Sequence, residues 1–235
     1  MDRCVVRTTS QVQHKRPMRW LTARWNRSDT ARLEAFSDGV LAIAITLLIL
    51  DVRLPEDTEN VGQSLLDAGS HYVAYATAFF TIAVLWVNHH DLFRLIDHAD
   101  RGLMFVNSML LLSIAFLPFP TSVLAEHMTD PDKSNRQAAL LAYGCTMVAV
   151  AFFYNVTWRY VKAHGLLRRD LTDVAIRRIT RAYNPAILLY AAALPLSFFS
   201  AWFSIALWLA LAVFWLLFGY EPEFAAESDD AEELA

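Results

Sequence analysis

Apolar residues recur along this chain in long runs, and polar residues gather in the short stretches between them. A helix needs about 20 mostly apolar residues to cross the hydrocarbon of a bilayer. Four runs of that length come first, and a fifth, from Ala182 to Tyr220, holds no charged residue and is nearly long enough for two spans. Pro195, Ser197 and Ser200 predict a tight turn inside the fifth run, so we interpret it as two short helices.

The pattern therefore predicts an all-α integral membrane protein with six transmembrane helices per chain, within a membrane domain of residues 31–220. The expected spans are approximately 33–55, 69–91, 101–125, 136–162, 180–198 and 201–220. Two prolines, Pro118 and Pro120, are expected to kink or end the third span. The basic segment 163–181 is either an amphipathic helix on the membrane surface or the beginning of the fifth span.

Charge is segregated along the chain, which is 56% hydrophobic and 19% charged. Residues 1–30 form a basic arm, and residues 221–235 form an acidic tail that we expect to be disordered and cytoplasmic. Lys and Arg accumulate in cytoplasmic loops, and their distribution predicts that both termini face the cytoplasm from a multi-pass plasma-membrane protein. The arm is interpreted as a topology signal or a contact to anionic lipids, and no nucleic acid partner is expected. No apolar run precedes residue 33, so we expect no cleavable signal peptide.

A polar cluster with both charge signs opens the first span. Arg32, Ser37 and Asp38 lead directly into the apolar sequence VLAIAITLLIL. An ionisable group at a membrane helix end is costly unless it is paired, so a buried carboxylate there needs a cation or several hydrogen-bond donors. Arg32 is near enough along the chain to be that cation. A structural ion pair is favoured here over proton transport.

The apolar part of the first span has a distinct face. At 100° per residue, Ile43, Leu47 and Leu50 fall on one narrow stripe with Thr46 beside it. Asp38 points roughly 140° away from Ile43 by the same geometry. On spacing alone, the stripe is most simply a surface for lipid contact or ordinary helix packing.

The end of the second span carries a second polar group, Trp86, His89 and His90. Adjacent histidines point to different faces of a helix, so they cannot chelate one ion, and no neighbouring Cys or His cluster completes a metal site. We instead interpret Trp86 and one of the two histidines as hydrogen-bond partners of Asp38 or Ser37. The sequence does not decide between His89 and His90. No motif of an enzyme active site is present, so we expect neither catalysis nor a cofactor.

These motifs resemble the transmembrane protein 175 family of potassium channels. The resemblance covers the first three spans by motif and the last three only by span count. The motifs that carry it are Arg32-x-x-x-Phe36-Ser37-Asp38-Gly39, Ala42-Ile43-x-x-Thr46-x-x-x-Leu50, Trp86-x-x-His89-His90-x-x-Phe93, Asn107 and Leu117-Pro118-Phe119-Pro120-Thr121.

The resemblance implies a homotetrameric channel for K⁺ whose central pore is lined by the first helix of each chain. It implies an apolar constriction formed by Ile43, Leu47 and Leu50, with Thr46 beside it. It also implies a hydrogen-bonded network behind the pore helix, made of Arg32, Phe36, Ser37, Asp38, Trp86, His89, His90 and Asn107. An apolar ring passes an ion only if the ion sheds water or the ring widens, which favours the more weakly hydrated K⁺ over Na⁺.

Two other functions remain open at this point. Asp38 with His89 or His90 suits a proton-conducting channel or a proton-coupled transporter. Transporters usually contain internal repeats and polar sites at the middle of the membrane, and the sequence shows neither. The third possibility is a membrane scaffold in which the polar motif is purely structural.

Overall fold

Helices make up almost all of the part that the computed structural model describes, which is residues 27–52, 60–198 and 200–217. Most of the basic arm and the whole acidic tail lie outside those residues. The eight α-helices of the described part are α1 (Arg27–Leu47), α2 (Val61–Asp67), α3 (Gly69–Arg94), α4 (Arg101–Ala115), α5 (Pro118–His127), α6 (Lys133–Ala163), α7 (Asp173–Ala193) and α8 (Ala201–Leu217). The expected all-α architecture is confirmed.

Four helical segments are long and apolar enough to cross a membrane, judged by length and composition. They are Asp29–Asp51, Gly69–Arg94, Arg101–His127 and Lys133–Ala163. The apolar part of α8, Trp202–Leu217, is shorter, and α7 carries arginines through its first half. The described residues thus contain four such spans, and the count of six stays a prediction.

Proline sets two of the helix boundaries. The Arg101–His127 segment is interrupted after Ala115, and Pro118 is the first residue of α5, where its missing N–H breaks no helical hydrogen bond. Pro195 lies in a short 3₁₀ segment, Leu194–Phe198, that separates α7 from α8. The basic segment does not form a separate surface helix. Its second half is the beginning of α7, where the Thr172 side chain caps the helix by accepting a hydrogen bond from the Ala175 N–H.

Two helices, α3 and α6, lie at the centre of the helix packing. The α3 helix contacts α1, α5 and α8, while α6 contacts α4, α5 and α7. A large apolar core fills the space between them.

A smaller apolar cluster closes the end of the bundle where α1 begins. The connection after α3 pairs with the connection after α6: the Asp97 N–H donates to the Leu166 carbonyl at 2.9 Å, and the Arg168 N–H donates to the Leu95 carbonyl at 2.9 Å. Leu33 of α1 packs into the apolar cluster beneath this pair. The first turns of α1 therefore pack at the end of the bundle where α3 and α6 end.

Candidate functional site

One face of α1 packs against the rest of its own chain. Its residues recur at intervals of three and four, which is the spacing of one face of an α-helix. They are Leu33, Ser37, Leu41 and Ala44 of α1 and Leu48 at the start of the 3₁₀ segment Leu48–Asp51 that continues it, and each is buried. This face fixes the orientation of α1 about its own axis.

The opposite face of α1 is uncovered. Ile43 is 60% exposed and Leu47 45%, and Leu50 in the 3₁₀ segment that follows α1 is 70% exposed. Thr46 is exposed on the same side, and its hydroxyl donates to the Ile43 carbonyl at 2.9 Å. The four residues predicted to line a pore therefore share one accessible, mostly apolar face.

A buried chain of hydrogen bonds ties α1 to α4 and α3. The Asn107 Nδ2 donates to Ser37 Oγ at 2.9 Å, and Asn107 Oδ1 lies 3.0 Å from His89 Nε2. Ser37 in turn donates to the Leu33 carbonyl at 2.9 Å, and all three polar side chains are completely buried. Since Asn107 Oδ1 only accepts, His89 must carry its proton on Nε2. The other ring nitrogen, Nδ1, has no hydrogen-bond partner among the described residues, while the ring stacks on Phe93 with centroids 4.3 Å apart.

A second link joins α1 to α3 nearer the surface. The Trp86 Nε1–H donates to Asp38 Oδ1 at 2.9 Å. Arg32, the cation suggested by proximity along the chain, is exposed and makes no hydrogen bond or ion pair with another described residue. Six residues of helix place Arg32 about 120° around and about 9 Å along the axis from Asp38, so the two side chains diverge. Phe36 is 58% exposed and lies outside the hydrogen-bonded group.

The two adjacent histidines have different partners. His89 belongs to the buried chain, whereas His90 Nδ1 lies 2.8 Å from Glu34 Oε1 in a partly exposed contact. The sequence reasoning missed Glu34. A signal was present, because Glu34 and Asp38 are four residues apart on α1, as Trp86 and His90 are on α3, and such pairs share a helix face.

The described residues contain no group of three or more His, Cys, Asp or Glu side chains placed to hold a metal ion. What they do contain is an all-helical membrane bundle in which one apolar helix is tied to its neighbours by polar contacts on one side and uncovered on the other.

Comparison with known proteins identifies the family. The profile of the family described as "Endosomal/lysosomal potassium channel TMEM175" matches residues 32–118. A Chamaesiphon minutus protein named as a potassium channel is 38% identical over 195 residues, 81% of this chain and 95% of that protein. The crystal structure of a lysosomal potassium-selective channel TMEM175 homolog from Chamaesiphon minutus has a TM-score of 0.70 and 36% identity, covering 81% of this chain and 97% of the other. This chain therefore belongs to the TMEM175 family, whose members are ion channels and not enzymes.

A vertebrate relative is named for a different ion. The human endosomal/lysosomal proton channel TMEM175 is 33% identical over 147 residues, which is 57% of this chain and 28% of the human protein. The match to the human protein is therefore partial in length.

Proposed function

We propose that this protein is a K⁺-permeable channel, a homotetramer in which one α1 helix from each chain surrounds a central pore. The observation that carries the proposal is the uncovered face with Ile43, Leu47 and Leu50, in a chain that aligns over most of its length with a relative named as a potassium channel. Four copies of that face around an axis form stacked apolar rings, and Thr46 adds a hydroxyl beside them. Widening and wetting of the rings opens the pore.

The polar residues behind α1 are structural in this proposal. Ser37, Asn107 and His89 are buried and hold α1 from the side opposite the pore face. The bond between Asp38 and Trp86 adds a second attachment at the next residue of α1. Arg32, Phe36 and His90 lie around this group at exposed positions, where Arg32 and Phe36 are available to a second copy of the chain.

The proposed topology has six spans, with α7 and α8 as the fifth and sixth. The arginines early in α7 then lie at the cytoplasmic surface, together with both termini, in agreement with the bias of basic residues toward that side. The basic arm of residues 1–30 contacts anionic lipids of the plasma membrane, residues 31–220 form the channel domain, and residues 221–235 form a cytoplasmic tail.

Ion flux into liposomes tests the pore assignment. The Ile43→Asn variant is expected to conduct K⁺ but to discriminate less between K⁺ and Na⁺ than the unmodified chain. An amide ring replaces some of the water that an ion loses, which lowers the dehydration cost for both ions. Leu188→Asn is the matched control, because Leu188 is 71% exposed on α7, away from α1. It should leave the K⁺/Na⁺ ratio unchanged, and an unchanged ratio in Ile43→Asn would refute the pore assignment.

Proton conduction through Asp38 is the second candidate function, favoured by the similarity to the human proton channel. The Asp38→Asn variant separates the two functions. An asparagine still accepts from Trp86 but without the strength of a charge-assisted bond, so less assembled protein with normal selectivity is expected. Two results together would establish the proton function instead. Correctly assembled Asp38→Asn tetramers would lose proton flux, and Ile43→Asn would keep the K⁺/Na⁺ selectivity of the unmodified chain.

A further inference from the structure

A cavity lies between α3, α6, α7 and α8, on the side of α3 that faces away from α1. Its volume is about 60 Å³, and its wall is mostly apolar. Small side chains such as Ala186 and Ala212 leave the space open, and no residue of the wall is charged. The cavity takes no part in the contacts that hold the proposed pore helix.

Three polar side chains of the lining, Asn88, Tyr190 and Trp215, make no hydrogen bond to another described residue, and the Trp215 indole N–H among them is fully buried. Because the Trp215 N–H is inaccessible, water outside the protein does not compensate it. Tyr154 shows the contrast, because its hydroxyl also borders the cavity but donates to the Leu85 carbonyl at 2.5 Å. Buried polar groups in folded proteins are almost always paired, so the unpaired Trp215 donor, with the polar side chains of Tyr190 and Asn88 on the same wall, indicates an occupant that pairs with it.

The wall defines the chemistry of that occupant. A charged molecule is excluded because the wall offers no opposite charge and transfer of an ion into such a site is costly. Water alone fits poorly, since each buried water needs two to four polar partners and the space would hold about four waters. A small molecule with an apolar body and one hydroxyl matches both the apolar lining and the polar groups of the wall. Its hydroxyl oxygen accepts from Trp215, and Tyr190 and Asn88 both accept and donate.

We propose that this cavity is a binding site for a small, uncharged alcohol-type amphiphile. The site lies on the helix that also carries the supporting contacts of α1. At 100° per residue, Val84 and Asn88 of the cavity wall lie about 160° around α3 from Trp86 and His90, which contact Asp38 and Glu34 of α1. An occupant therefore contacts the side of α3 opposite the one that contacts Asp38 and Glu34. Binding itself does not depend on the proposed channel function.

Tryptophan fluorescence of the full-length chain in lipid nanodiscs tests the site, with 2,2,2-tribromoethanol as the probe. Bromine quenches an indole that it contacts, so a bound probe gives a saturable loss of fluorescence above the linear loss from probe dissolved in the lipid. Trp215→Phe should remove the saturable part. Trp202→Phe, which removes an exposed indole from the same helix, should retain it.

Tyr190→Phe tests the polar contact without changing the shape of the wall. The apparent affinity of the saturable part should fall about three- to ten-fold, as expected for the loss of one hydrogen bond. Tyr75→Phe, which removes a hydroxyl remote from the cavity, is the matched control and should bind as the unmodified chain does. Quenching that is linear in every variant, or a saturable part that survives Trp215→Phe, would overturn the proposal.

Discussion

Replacing Asn107 with leucine tests whether the buried polar chain holds α1 in place. Leucine is close to asparagine in size, so the change removes the two hydrogen bonds without opening a large cavity. His89 then has a buried Nε2–H with no acceptor at the former position of Asn107 Oδ1. Ser37 loses the bond it accepts but keeps the one it donates to the Leu33 carbonyl.

The size of the effect follows from these two losses. A buried donor left without an acceptor costs about 1–3 kcal/mol, and the loss of an ordinary hydrogen bond costs about 0.5–1.5 kcal/mol. The free energy of unfolding should therefore fall by about 1.5–4.5 kcal/mol in Asn107→Leu. For a chain of this size, each kcal/mol lowers the melting temperature by about 2–4 °C. The expected drop is roughly 3–18 °C.

Thermal melting in detergent, followed by the loss of the folded species on size exclusion, measures this drop. Ser108→Ala on the same helix is the control, because its exposed hydroxyl bonds only to the Met104 carbonyl of its own helix. That change should alter the free energy of unfolding by no more than about 0.5 kcal/mol. The double variant Ser37→Ala/Asn107→Leu should lose less free energy of unfolding than the sum of the two single variants. The reason is that both changes remove the same hydrogen bond, the one between Ser37 and Asn107. If Asn107→Leu melts within about 2 °C of the unmodified chain, the buried chain does not stabilise α1.

Two further substitutions probe individual contacts by the same melting assay. His90→Ala removes the contact with Glu34, and because the pair is partly exposed it should cost less than about 1 kcal/mol; a loss as large as that of Asn107→Leu would contradict this. Gly102→Ala places a methyl group against the Tyr160 hydroxyl and must displace the ring from Asp100. It should lower the melting temperature by several degrees, and an unchanged temperature would show that the ring moves freely.

The faces of α1 could be predicted from the sequence because a helix has a fixed period. Once the segment is helical, Ile43, Leu47 and Leu50 must share one side, and Asp38 must point elsewhere. Their exposure on one uncovered face agrees with that geometry. Their role in conduction is a separate matter, which stays a prediction until the flux measurements are made.

The partners of the polar residues could not be predicted in the same way. Choosing between His89 and His90 requires the rotation of α3 about its own axis, which tertiary packing decides. Arg32 is close to Asp38 in sequence, yet helix geometry directs it elsewhere, and Trp86 from another helix becomes the donor. The cavity beside α3 has no local signal at all, because it is the gap left where four helices meet.

The uncovered face of α1 also has a consequence for how single chains behave before they meet. In water, exposed Ile43 and Leu50 would drive association, but lipid tails are as apolar as these side chains, so a solitary chain in a bilayer carries no such penalty. Self-association then depends on close packing and on how many chains share a given area of membrane. In the proposed tetramer, the fraction of chains assembled into channels therefore rises with the number of copies per area of membrane.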